Sequence, residues 1–170
     1  LYAASAGNAD IINMSLGAVF PRNEGNAALT SALNRAVNTA GRLGVPRPCG
    51  PVFTVAGTNG KGSTVALLEA FLIRAGSRPG AYTSPHLVSY NERMRVAGRA
   101  VGDEQLIAAF ERVEAARQDT PLTFFEFGTL AALEIFRAAG CDAWVLEVGM
   151  GGRLDAVNVI DADFALITTV

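Results

Sequence analysis

Apolar and polar positions along the chain change period several times, and each change marks an element. Short apolar runs with β-branched residues read as strands buried on both faces; longer stretches with apolar residues three or four apart read as helices with one inward face. The runs predict strands over 52–56, from Gly80 to Thr83, over 143–148 and over 164–170. The helical spacing predicts helices over 27–43, 63–75 and 104–117, and another running from the Thr123–Gly128 stretch to about Ala139. Leu29, Leu33, Ala36, Val37 and Ala40 give the first helix its apolar face; Val65, Leu68 and Leu72 serve the second, and Leu106, Ile107, Phe110 and Val113 the third. Asn26 and Asp103 suit N-caps, Gly44, Gly76 and Gly140 suit helix ends, and Pro46 and Pro48 forbid continuation. Residues 87–102 read as a polar loop with a short β excursion. Strands alternating with helices imply a three-layer α/β domain on a parallel sheet with right-handed crossovers. In such sheets ligands bind outside the carboxyl ends of the strands. Residues 1–25 stand apart: 9–14 read as a strand, Ser15-Leu16-Gly17 as its exit, and Pro21 to Gly25 as a polar loop.

Composition narrows the class. The 170 residues admit one compact domain, which should bury roughly 70% of the surface of the unfolded chain. Half the residues are hydrophobic, which excludes a disordered chain. A net charge of −2 offers no basic surface for nucleic acid. No apolar run reaches the roughly 18 residues that a membrane helix needs, and Leu1–Ser5 lacks the basic start of a signal peptide. Cys49 and Cys141 have no metal-type spacing and read as reduced thiols, which fits a cytoplasmic protein; a monomer is expected. Without an initiator Met, residue 1 is not expected to be a natural start.

The chemistry concentrates where strand 52–56 breaks into Gly57-Thr58-Asn59-Gly60-Lys61-Gly62-Ser63-Thr64. Strand, glycine turn and helix N-terminus are the parts of a phosphate cradle: backbone N–H groups and the helix dipole favour negative charge. Lys61 adds a point charge, and the Ser63 hydroxyl can reach a phosphate-bound Mg²⁺. The spacing departs from the common P-loop, since Gly62 separates Lys61 from Ser63. Glu147 stands near the end of a buried strand and needs a partner. With Ser84 it can serve Mg²⁺ beside a triphosphate, or it can pair with Arg153. Ser84 alone could equally cap a turn before proline. His86 could be a surface or hydrogen-bonding residue, and Thr123–Glu126 could face a ligand or start a helix that packs on the sheet. Arg153, Asp155 and Asn158 form a polar cluster after a second glycine turn, ligand-facing or scaffolding.

Residues 42–170 resemble the N-terminal ATPase domain of folylpolyglutamate synthase/dihydrofolate synthase, in the Mur ligase superfamily. The motifs that carry this are Ala56-Gly57-Thr58-Asn59-Gly60-Lys61-Gly62-Ser63, Tyr82-Thr83-Ser84-Pro85-His86-Leu87 with Asn91-Glu92-Arg93, Thr123-Phe124-Phe125-Glu126-Phe127-Gly128-Thr129, and Leu146 to Asn158. The resemblance implies an ATP-dependent amide ligase of folate metabolism: a substrate carboxylate takes the γ-phosphate as an acyl phosphate, and the amine of L-glutamate displaces phosphate. It implies that Gly57–Thr64 hold ATP, that Lys61 stabilises the transferring charge, and that Ser84 and Glu147, with Ser63, hold Mg²⁺. Thr123, Phe125, Glu126, Arg153 and Asp155 would lie near the folate or dihydropteroate. In the family a Mg²⁺-binding histidine, a carbamylated lysine and a glutamate-binding domain follow the last strand, so a truncated domain with incomplete machinery is expected here. Ala9–Gly17 and Ala32–Val37 resemble subtilisin-like serine proteases without any catalytic residue, which makes residues 1–41 either a foreign fragment joined near Thr39–Arg42 or a chance strand–loop–helix. The alternatives to a ligase are a non-catalytic chimeric folding unit with idle motifs and a protease fragment.

Overall fold

The computed structural model describes the backbone of residues 25–169 and the side chains of residues 33–169; the strand expected over 9–14, its exit, most of the loop after it and the Leu29 side chain lie outside these. Helix α1, Gly25–Leu43, begins one residue before the expected cap, so Asn26 lies inside its first turn. Leu33, Ala36, Thr39, Ala40 and Leu43 are buried. Val37, expected on that face, is 43% exposed, because it falls about 100° round the helix from the centre of the buried stripe. Gly44 ends the helix with φ 68°, its N–H donating to the Ala40 carbonyl at 3.0 Å.

The strands are β1 Val52–Ala56, β2 Pro79–Tyr82, β3 Met94–Val96, β4 Arg99–Ala100, β5 Ala143–Glu147 and β6 Phe164–Ile167, in the sheet order β4-β3-β2-β5-β1-β6. The expected parallel sheet is present as β2-β5-β1-β6. β3 and β4, which fall in the short β excursion expected within 87–102, extend it antiparallel, a pairing the hydrophobic pattern did not reveal. The cause is chain length: the segment between Tyr82 and Met94 holds one 3-10 turn, Tyr90–Arg93, and no crossover helix, and a parallel return needs a dozen or more residues. β3 and β4 then join through Ala97 and Gly98, both at positive φ (49° and 81°), the conformation of a two-residue hairpin turn.

The remaining helices are α2 Lys61–Arg74, α3 Asp103–Arg117 and α4 Phe124–Ala138; a second 3-10 turn spans Ala156–Val159. α2 covers one face of the sheet, with Val65 against Val55, Ala81 and Val145. The other face carries the main core. There Val52, Tyr82, Trp144 and Leu146 pack with Leu130, Leu133 and Phe136 of α4 and with Leu43 of α1. α3 lies on α1 and α4 rather than on the sheet. Its Leu106, Ala109 and Val113 point inward, whereas Ile107, expected among them, is 55% exposed. Among the described residues no helix is long and apolar enough to cross a membrane. The order of layers leaves the carboxyl ends of β1, β2 and β5 side by side, at the loops that carry the motifs.

Candidate functional site

β1 ends at Ala56, and the chain turns through Gly57 (φ 133°) and Gly60 (φ 81°) into α2. α2 starts at Lys61, two residues earlier than the pattern predicts, so Lys61, Gly62 and Ser63 make up its first turn. The first amides of a helix lack intrahelical acceptors, and here they open at the sheet's carboxyl edge. Thr64 closes the turn, its N–H and hydroxyl both donating to the Gly60 carbonyl at 3.0 and 2.9 Å. The Lys61 ammonium curls back onto the Gly57 and Thr58 carbonyls at 2.9 and 3.4 Å. A second segment touches the turn from the far side. The Thr58 N–H donates to the Thr169 carbonyl at 2.6 Å, and the Thr168 hydroxyl bonds the Asn59 carbonyl at 2.5 Å. A side chain on Gly57 would place its Cβ 2.2 Å from the Thr168 Oγ1, so the approach itself requires glycine there.

Glu147 lies opposite. It is the last residue of β5, in register with Val55 of β1, and is 5% exposed. Its Oε2 accepts the Ser84 N–H at 3.2 Å and lies 3.9 Å from where a Cβ on Gly62 would stand. Glu147 makes no ion pair with Arg153, which is exposed. Burial pushes the Glu147 carboxyl above its usual range, against the pull of the Ser84 amide and of the charges on Lys61 and Arg95. Thus Gly57–Thr64, Ser84 and Glu147, far apart in sequence, converge on one edge. Among the described residues no three His, Cys, Asp or Glu side chains cluster as a metal set. The donor set here, one carboxylate and two serine hydroxyls, is of the kind Mg²⁺ uses when substrate phosphates complete its shell.

The second group of motif residues is arranged as supports. Thr123 caps α4 in a reciprocal box: its Oγ1 accepts the Glu126 N–H at 3.2 Å and its own N–H donates to Glu126 Oε2 at 2.7 Å. Glu126 also receives Arg35 of α1 at 3.5 Å. Phe125 lies against Gly149, where an added Cβ would come 2.5 Å from the ring, and 5.9 Å from the Tyr82 ring. Asp155 is buried; its carboxylate accepts N–H bonds from Gly149, Met150 and Val157 at 2.9 to 3.0 Å. Burial raises its pKa while those three bonds pull it down. Asn158 donates to the Gly152 and Arg153 carbonyls at 2.5 and 3.2 Å. His86 Nδ1 accepts from Arg93 Nε at 2.8 Å, and the Arg93 guanidinium lies 5.4 Å from the ring centres of both Tyr90 and Phe124.

The pattern-based reading missed several partners: Arg35 on Glu126, Arg93 on His86, Arg95 on Thr83, and the Thr168–Thr169 contact with the glycine turn. Each joins residues from separate elements, and no local spacing announces it.

No family model matches the chain. Curated relatives do. The dihydrofolate synthase/folylpolyglutamate synthase of Escherichia coli (strain K12) is 52% identical over 138 residues, covering 81% of this chain and 33% of the relative. Among solved structures, the chain is similar to E. coli FolC in complex with DHPP and ADP (46% identity, TM-score 0.77, 88% of this chain and 39% of that one). It is similar also to a bifunctional folylpolyglutamate synthase/dihydrofolate synthase with Mn, AMPPNP and L-glutamate bound (50% identity, TM-score 0.78, 80% of this chain and 34% of that one). The chain spans about a third of the length of the curated relatives it matches. The matched 138 residues exceed residues 42–170, so the likeness runs back into α1. These relatives give the likeness of residues 1–41 to a subtilisin-like protease no support. Over about four fifths of its length the chain belongs, by sequence and by fold, with the folylpolyglutamate synthase/dihydrofolate synthases.

Proposed function

We propose that this chain supplies the ATP-holding part of a ligase that joins L-glutamate to dihydropteroate or a folate through an acyl phosphate. Residues 42–170 form a partial Mur ligase-type ATP-binding domain, with α1 packed on it. The observation that carries the reading is the meeting of the glycine turn, Ser84 and Glu147 at one sheet edge. Gly57–Thr64 hold the nucleotide phosphates, and Lys61 must leave the Gly57 and Thr58 carbonyls to reach them. Ser63, Ser84 and Glu147 are the residues that would hold Mg²⁺, which neutralises phosphate charge when bound. Thr123, Phe125, Glu126, Arg153 and Asp155 serve the folate-side substrate: Thr123 and Glu126 by fixing the start of α4, Asp155 by fixing the loop from Gly149, Phe125 as an apolar wall, and Arg153 as an exposed charge. The protein is a cytoplasmic monomer acting on small molecules.

Calorimetry with ATP and Mg²⁺, comparing the chain with Lys61→Ala, tests this. Removing a charged hydrogen-bond partner costs about 1.5–3 kcal/mol, so the variant should bind roughly 10- to 100-fold more weakly. Equal affinities would overturn the phosphate role.

A further inference from the structure

Glu69 sits in the middle of α2 and is 5% exposed. Its Oε2 accepts from Arg95 Nε at 2.8 Å and its Oε1 from the Gly98 N–H at 3.2 Å. Arg95 belongs to β3. Its Nη1 donates to Thr83 Oγ1 at 3.2 Å and to the Glu92 carbonyl at 3.4 Å. The residue after Thr83 is Ser84, whose N–H holds Glu147. One run of bonds therefore leads from the helix that opens at the glycine turn, through Arg95, to the end of β2 and on to Glu147. A buried ion pair gains little stability over apolar packing, because desolvation offsets most of the attraction. What apolar packing lacks is the fork: a planar guanidinium reaches two acceptors in fixed directions at once.

We propose that Arg95 is a positioning residue for the divalent cation: its guanidinium, braced by Glu69, sets the Thr83–Ser84 backbone so that Ser84 and Glu147 face the phosphate cradle together. The proposal rests on the reading of this edge as a metal–nucleotide site. Loss of a group that orients metal ligands lowers metal affinity by roughly 10- to 100-fold. Lysine at position 95 would keep the charge and lose the second arm of the fork.

The experiment measures ADP affinity of the 170-residue chain by calorimetry with and without Mn²⁺; the ratio of the two affinities is the gain the ion supplies. Arg95→Lys and Arg95→Met are both expected to lose roughly tenfold or more of that gain while keeping the metal-free ADP affinity. Amide exchange in the ligand-free protein gives a second reading: Ser84 should lose protection in Arg95→Met while α2 and β5 keep theirs. Full gain in Arg95→Lys would overturn the proposal, since charge alone would then suffice. An equal fall in both affinities would overturn it too, as general damage to the fold. Should Arg95→Met fail to fold, Glu69→Gln, which retains an acceptor for Arg95, is expected to keep the gain that Arg95→Lys loses; loss in both or in neither would refute the fork. A wild-type chain that binds no ADP under either condition would sink the nucleotide reading and this proposal with it, whereas wild-type binding with variants that match it sinks only the role of Arg95.

Discussion

Replacing Gly57 by alanine puts a methyl group where the end of the sheet closes on the glycine turn. The new Cβ would stand 2.2 Å from Thr168 Oγ1, 3.0 Å from the Thr169 carbonyl and 3.1 Å from the Thr168 nitrogen. Two of these neighbours are backbone and cannot rotate away. Gly57 also has φ 133°, a region that L side chains rarely enter, at a strain of about 1–3 kcal/mol. The Thr168 hydroxyl, bonded to the Ala56 and Asn59 carbonyls at 3.2 and 2.5 Å, would be displaced; its one proton is worth about 1 kcal/mol. The sum is about 2–4 kcal/mol. With a urea dependence of about 2 kcal/mol per molar, the unfolding midpoint should fall by about 1–2 M with an unchanged slope. Thr168→Ala alone should cost about 1 kcal/mol. In the double variant the Oγ1 collision is gone while the Thr169 contact and the φ strain persist. The double variant should therefore be about 1 kcal/mol more stable than the two single costs predict. A Gly57→Ala chain within about 0.5 kcal/mol of wild type, or strict additivity in the cycle, would refute the reasoning.

Two other expectations concern groups held by burial. Asp155→Asn cannot accept all three amides that the carboxylate now accepts, because one oxygen becomes an NH₂ donor; with the remaining oxygen turned to the Gly149 and Met150 amides, Val157 loses its acceptor, so the variant should lose about 1–3 kcal/mol, with faster exchange at the Val157 amide, and unchanged exchange there would count against a scaffolding role. Burial pushes the Cys141 thiol from 9.0 to about 11 and the Tyr82 phenol from 10.0 to about 12. Both groups hold their protons more tightly folded than unfolded, so their contribution is complete below pH 9 and is lost as pH rises through the folded values. Urea melts at pH 9, 10 and 11 should show the fall, and Cys141→Ala should remove the part that begins at pH 9, leaving the later part from Tyr82.

The elements were legible because their signals are local. A glycine turn between an apolar run and a helical stripe is contained within residues 52–72, and the structure places strand, turn and helix there. The same holds for the helix ends at Gly44, Gly76 and Gly140, all at positive φ. Failures of the inward-face assignment, Val37 and Ile107, are residues next to a buried position, where one step round the helix decides exposure. The β excursion within 87–102 was legible, but its antiparallel pairing was hidden by its brevity: strands of three and two residues carry no period. The site divides in the same way. The strand–turn–helix geometry of Gly57–Thr64 could be read from consecutive residues, whereas Glu126 with Arg35 and Glu69 with Arg95 are 91 and 26 residues apart in sequence. No spacing rule links them, and the burial of Glu69 and Glu126 on helices, unlike that of Glu147 on an apolar strand, was not marked by the local pattern.

The donor set at the sheet edge bears on the order of events in the proposed function. Glu147 is the carboxylate set against the first turn of α2, and one carboxylate with two serine hydroxyls would leave half of an octahedral Mg²⁺ shell to water and to phosphate oxygens. Such an edge holds a bare ion weakly and a metal–nucleotide pair well, because the phosphates bring both charge and ligands. The cradle alone is equally incomplete. Its lysine rests on its own turn's carbonyls, so an arriving phosphate would have to compete with those bonds, and under the proposed function Glu147 would hold the cation that shares the phosphate charge. The two half-sites meet at Gly62, where the added Cβ of any other residue would stand 3.9 Å from the Glu147 oxygen.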